Sequence, residues 1–196
     1  MWIQGWGEVP GQLVVISGPS GSGKSTVIRR LLERSDVRAE LSVSATSRVP
    51  RPGEVDGVDY FFRTADAFKR GCTDGEFLEW AEYNGNFYGT PARPVFEALA
   101  DGRTVILEIE TKGAMQVREQ APTALFVFID VPNFGELARR LRARGTETDL
   151  QIHQRLVIAR KERDLAHCYD VRIINDNLDQ AVAELANVLC TQTSGG

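Results

Sequence analysis

Strands and helices alternate along the chain, so the sequence predicts an α/β fold built on a doubly wound, mostly parallel sheet. Three observations carry this. Short runs such as Leu13–Ile16, Val105–Leu107 and Leu125–Ile129 are almost wholly apolar, as strands buried on both faces must be. The stretches between them repeat their apolar residues at helical spacing. The 196 residues, 42% hydrophobic, are enough for one core with small insertions.

Leu13 to Ser17 is the first strand. In the helix from Lys24 to Arg34, Val27, Leu31 and Leu32 face one way, and Arg29, Arg30 and Glu33 the other. Ser42 to Thr46 reads as a short strand that enters Arg48-Val49-Pro50-Arg51-Pro52-Gly53-Glu54, where two prolines and a glycine forbid regular structure. Asp59 to Gly89 changes character: aromatic strands (Tyr60–Phe62, Phe77–Trp80, Asn86–Tyr88) surround a helix over Ala65–Arg70, which predicts a small inserted lobe. The core resumes with a helix over Pro94–Ala100 and a strand over Thr104–Glu110. Next come a helix over Ala114–Gln120, the strand Leu125–Ile129 and an arginine-dense helix over Phe134–Arg144. A long polar helix from Asp149 to His167, the strand Val171–Ile174 and an amphipathic helix over Leu178–Leu189 complete the order.

The first strand runs into Gly18-Pro19-Ser20-Gly21-Ser22-Gly23-Lys24-Ser25-Thr26, which fits Gly-x-x-x-x-Gly-Lys-[Ser/Thr] in its required setting of strand, loop and helix. Glycines let successive N–H groups turn inward toward phosphate oxygens. Lys24 supplies a mobile positive charge, Ser25 a hydroxyl for Mg²⁺, and the following helix its positive dipole end. The loop implies a bound nucleoside triphosphate.

The remaining composition mostly excludes. A net charge of −4 argues against a general nucleic-acid surface. No apolar run reaches the length of a membrane span, and Met1 to Gln12 has no basic start of the kind a signal peptide carries. Three widely spaced cysteines, with no Cys-x-x-Cys pair, point away from disulfide or zinc frameworks and toward a reducing cytoplasm. His153 and His167 lie in a polar stretch and read as surface residues.

The run Ser42-Val43-Ser44-Ala45-Thr46-Ser47-Arg48-Val49-Pro50-Arg51-Pro52-Gly53-Glu54 sets two arginines three apart on a stiffened loop, with Tyr60 nine residues on. Guanidinium forks match phosphate oxygens bidentately. Here the sequence resembles the guanylate kinase family, which carries almost the same run. The likeness continues through Phe77–Glu82, Gly85–Thr90, Arg144–Glu147 and Ile174–Asp176, and covers about residues 12–190.

The resemblance implies a P-loop kinase that phosphorylates GMP, and dGMP, with ATP and Mg²⁺. Its domain would span 13–190, with a GMP-binding lobe over about 45–92 and an arginine-rich lid over about 134–155, between tails at 1–12 and 191–196. Arg48, Arg51, Tyr60 and Tyr88 would hold the GMP phosphate. Glu79 would take the guanine edge, aided by Ser44 and Thr90. Gly18 to Thr26 and Asn175 would bind ATP, and Ser25 the Mg²⁺. Lys24, Arg48, Arg140, Arg144 and Arg155 would act in catalysis. ATP and GMP would be its partners, without nucleic acid or membrane, in a monomer or homodimer in the cytoplasm.

The chain departs from the family at Glu108-Ile109-Glu110-Thr111-Lys112-Gly113, where Asp-x-Asp and a Gln-Gly pair are usual. Residues two apart on a strand face the same way, so both carboxylates should serve one side of the site, with GMP as their expected ligand. Each reaches about 1.5 Å further than aspartate, one carbon–carbon bond. Two rival readings are a kinase of a phosphorylated sugar, which would not need Ser44, Glu79 and Thr90, and a protein-binding scaffold, which would not need an intact Lys24 and Ser25.

Overall fold

The computed structural model describes residues 9–143 and 148–192. Arg144 and the motif it opens, and most of both expected tails, lie outside these residues. Nine strands and seven α-helices are assigned among the described residues, in two sheets. A five-stranded sheet has the order β2-β7-β1-β8-β9, with β1 Gln12–Ser17, β2 Ala39–Leu41, β7 Thr104–Glu108, β8 Leu125–Asp130 and β9 Val171–Ile174. The β2–β7 and β8–β9 pairs are parallel, as the apolar strand runs imply. A four-stranded sheet has the order β4-β3-β6-β5, with β3 Ala45–Thr46, β4 Phe61–Phe62, β5 Phe77–Tyr83 and β6 Asn86–Pro91. No helix among the described residues is long and apolar enough to cross a membrane.

The described residues group into two compact units, one of 9–14, 39–107 and 112–124, the other of 15–38, 108–111 and 125–192. The expected GMP lobe falls within the first, and the described part of the expected lid within the second. In the first unit, α2 (Ala65–Thr73) starts at Thr64, whose side chain accepts the Ala67 N–H. Its Phe68 stacks on Phe77 with centroids 4.3 Å apart, over Ala45 and the half-buried Phe61 and Phe87. The helices α3 (Ala92–Ala100) and α4 (Thr111–Gln120) complete the list for these segments, with α4 beginning at the boundary residue Thr111.

The second unit holds α1 (Lys24–Leu32), α5 (Phe134–Ala143), α6 (Asp149–Asp164) and α7 (Leu178–Gln192). Thr148 and Gln151 form a reciprocal cap at the start of α6. Leu137 and Leu141 of α5 pack with Ile152 and Ala159 of α6. Asp130, fully buried at the end of β8, ties this unit together. Its Oδ2 receives Arg163 Nε of α6 at 2.9 Å and Arg172 Nη2 of β9 at 2.5 Å, while Oδ1 receives the Val131 N–H. Arg163 also lies 4.6 Å over the Phe134 ring.

Replacing Asp130 by asparagine keeps the shape but leaves two guanidiniums without their anion. It should cost about 3 kcal/mol, the lower end for a buried pair broken on one side only, because Arg172 is half-exposed. Urea unfolding would show a lower midpoint at unchanged slope, and an unmoved midpoint would make Asp130 dispensable.

Three boundaries differ from the sequence reading in ways that matter for the site. Of the strand expected over 42–46 only Ala45–Thr46 forms, as β3 of the lobe sheet; β2 of the larger sheet already ends at Leu41, and 42–44 connect the two. Ser42 still donates to Ile106 O on the β7 side, but the Ser44 carbonyl already accepts from Phe61 N of the lobe. The strand expected over 104–110 stops at Glu108, and α4 starts at Thr111. The long polar helix ends at Asp164, and Ala166–Cys168 follow as a 3₁₀ turn.

Candidate active site

In the second unit the loop from Gly18 to Gly23 joins β1 to α1. Gly18 has a φ of 146°, and a Cβ there would lie 2.0 Å from the Ile129 carbonyl oxygen, so β8 admits only glycine at this approach. The loop is held from below. Asn175 Nδ2 and Arg140 Nη1 both donate to the Ser22 carbonyl, at 2.8 and 3.3 Å, and Arg140 Nη2 donates to the Asn175 carbonyl at 2.8 Å. Glu136 orients Arg140 through Nε at 2.6 Å; its own carboxyl is held down at about 2 by Arg139 and Arg140. Arg155 of α6 reaches Ser20 Oγ at 3.0 Å. Lys24 Nζ donates to the carbonyls of Gly18, at 2.5 Å, and Pro19, at 3.1 Å.

Above the loop lies a cavity of about 320 Å³ lined by Gly18, Ser20, Gly21, Gly23 to Thr26, Glu108, Glu110 and Glu162. Ser25 Oγ donates to Glu108 Oε1 at 2.6 Å. Glu108 and Glu110, expected to serve GMP, both line this pocket at the phosphate loop, although Glu110 is not on the strand. Hydroxyl and carboxylate oxygens are hard donors of the kind Mg²⁺ takes alongside substrate phosphates.

Glu162, in the last turn of α6, escaped the sequence reading because a glutamate in a polar helix carries no signal of its own. Burial pushes its carboxyl up to about 7; the Glu110 charge adds to the rise, while Lys24 and the Ser20 N–H oppose it. The folded pKa lies above the ordinary value of 4.5, so ionised Glu162 costs stability. The stability that Glu162 contributes is therefore fullest below about 4.5 and declines as pH rises through 7. Glu162→Gln should flatten that decline and unfold at higher urea than wild type at about pH 8, with the gap closing near pH 5. Equal wild-type and variant midpoints at pH 8 would contradict this.

The first unit gathers the other predicted residues. Glu79, on β5, is only 7% exposed, and Thr90 of β6, directly opposite, donates its hydroxyl to Glu79 Oε1 at 2.7 Å. The Thr90 hydroxyl thus donates to Glu79 in this structure, and Thr90 orients the carboxylate. A Cβ on Gly113 would lie 2.6 Å from Glu79 Oε2, so glycine there leaves room for the carboxylate. The backbone on either side of Glu79 is fixed by α4. Gln116 exchanges two 3.1 Å bonds with the Trp80 N–H and carbonyl, and Gln120 donates to the Leu78 carbonyl at 2.7 Å. These glutamines satisfy the outer edge of β5, a role that only the sheet order reveals.

Arg48 lies 5.5 Å over the Tyr60 ring, and Tyr60 meets Tyr88 edge-on at 6.3 Å. Arg48 is also clasped by Glu54, at 3.0 and 2.8 Å, and Glu54 in turn accepts the Arg51 N–H at 2.7 Å. The hydrogen-bonded arginine holds the Glu54 carboxyl below the usual carboxylate range. Glu54 was read only as part of the motif, and it emerges as the residue that shapes this loop. Arg51 is exposed, and Ser44 half-buried.

A family model described as guanylate kinase matches residues 10–192. The chain belongs to the guanylate kinase family. Among its relatives, the guanylate kinase of Bacillus subtilis (strain 168) is 46% identical over 182 residues, covering 93% of this chain and 89% of its own. That of Synechococcus sp. (strain CC9902) is 50% identical over 175 residues, covering 89% of this chain and 93% of its own. The crystal structure of guanylate kinase from Anaplasma phagocytophilum superposes with a TM-score of 0.74 at 32% identity, covering 93% of this chain and 86% of that one. The family resemblance and the α/β fold with its mostly parallel sheet therefore hold. His153 and His167 are exposed, in keeping with a surface role, and Cys72 and Cys168 are free thiols.

Proposed function

We propose that the chain catalyses ATP + GMP ⇌ ADP + GDP, with dGMP as a second acceptor, by direct in-line phosphoryl transfer. The observation that carries this reading is the buried Glu79 carboxylate, oriented by Thr90, in a chain whose phosphate loop is intact. Guanine presents N1–H and an exocyclic amine, two donors that one carboxylate can accept together. Adenine presents an acceptor at N1, which would face the carboxylate and leave buried polar groups unpaired. Arg48, Arg51, Tyr60 and Tyr88 suit the dianionic phosphate of GMP.

On the ATP side, Gly18 to Thr26 would cradle the phosphates, with Lys24 as the charge on the terminal ones and Asn175 holding the loop. Arg140 and Arg155, each bonded to the loop, would steady it and stabilise charge on the transferring group; Arg144 has the same role in this reading. Ser25 and Glu108 would hold Mg²⁺. When bound, the ion neutralises charge on the triphosphate. No covalent intermediate is required, because positioning and charge neutralisation account for this class of reaction. The free thiols and small-molecule substrates fit a cytoplasmic enzyme.

The test is ADP release from Mg·ATP with GMP, dGMP, AMP, CMP, UMP or ribose 1,5-bisphosphate as acceptor. Turnover confined to GMP and dGMP is expected. Turnover with the sugar phosphate alone, or none with any acceptor in protein that still binds ATP, would overturn the reading.

A further inference from the structure

The pocket above the phosphate loop is lined by three carboxylates, Glu108, Glu110 and Glu162, and one lysine, Lys24. That is an adverse balance for a cavity that must receive a triphosphate. The arginines nearby are turned to structural partners: Arg140 to Ser22, Asn175 and Glu136, and Arg155 to Ser20 Oγ. Among the described residues no group of three or more acidic, histidine or cysteine side chains forms a metal-holding cluster.

Glu162 differs from the other two carboxylates. It comes from α6 and lines the cavity together with Ser20 and Gly21 of the phosphate loop. Its Oε2 is buried without a hydrogen-bond partner. Its neighbour Arg163 is anchored on the fully buried Asp130, which fixes this turn of α6 to the core.

We propose that Glu162 is a positioning and specificity-determining residue that makes the pocket select the divalent-metal complex of ATP over the bare polyanion. The inference rests on the reading of this loop as the ATP site. Repulsion by a fixed carboxylate scales with ligand charge, and bare ATP carries about two more negative charges than its Mg²⁺ complex.

The experiment is calorimetric titration of ATP into wild type and Glu162→Gln at about pH 8, where the carboxylate is ionised, once with excess Mg²⁺ and once with EDTA. The amide keeps an acceptor for Ser20 and removes the charge. The variant should bind metal-free ATP about fivefold tighter or more, with Mg·ATP affinity within about twofold of wild type or weaker. The preference for the metal complex therefore contracts. Glu162→Ala, which removes the charge without requiring an amide at this position, should contract it too.

A preference unchanged in both variants, or equal loss of affinity for both forms of ATP, would reduce Glu162 to a purely structural role and overturn the proposal. Wild type that binds ATP in neither form would instead fail the reading of the loop itself, and the inference would fall with it.

Discussion

Replacing Lys24 by alanine should lower kcat by about a thousandfold or more while leaving GMP affinity within about twofold. The asymmetry follows from where the ammonium sits. Its bonds go to the Gly18 and Pro19 carbonyls, inside the loop that would cradle the ATP phosphates, and it lines the same cavity as Ser25 and Glu108. Its contribution is greatest when negative charge builds on the transferring group, so removing it should act on the transition state more than on either bound substrate. The loop itself should survive, because Asn175 and Arg140 hold the Ser22 carbonyl independently of Lys24. Steady-state kinetics with Mg·ATP, beside calorimetry with GMP alone, separate the two effects. Near-normal turnover would remove Lys24 from the chemistry, and a matching loss of GMP affinity would mean that the variant had damaged the fold.

The phosphate loop was legible in the sequence because its constraints are local. Gly18, Gly23, Lys24 and Ser25 stand at fixed spacing directly after an apolar strand, whatever the rest of the chain does. Glu79 was legible only through the family resemblance, since an acidic residue on a strand reads by itself as exposed surface. What stayed hidden is what depends on tertiary pairing. Thr90 meets Glu79 because β5 and β6 are antiparallel in one register, and Gln116 and Gln120 matter because β5 is an edge strand facing α4. Glu162 reaches the loop only because α6 returns to it through the Arg163–Asp130 pair. The strand-face argument for Glu108 and Glu110 does not apply as made: the strand ends at Glu108, and it is the connection into α4 that brings Glu110 to the same cavity.

Glu79→Gln should collapse the preference for guanine. The change is isosteric, and the surroundings dictate how the amide must lie. Thr90 donates to Oε1, so the amide oxygen is held there and the NH₂ takes the place of Oε2, beside Gly113. In that orientation a donor replaces an acceptor opposite the donor edge of guanine, where N1–H and the amine need oxygen. Two buried donors then face each other, and kcat/KM for GMP should fall about a hundredfold or more, mainly through KM. Adenine gains from the same change, because its N1 can accept from the new NH₂, so the GMP-to-AMP ratio of kcat/KM should drop by more than the GMP rate alone. The control is that ATP affinity stays at the wild-type value, since the phosphate loop belongs to the other unit of the chain. An unchanged GMP-to-AMP ratio would remove Glu79 from base recognition and leave the Thr90–Glu79 bond as a purely structural tie between β5 and β6.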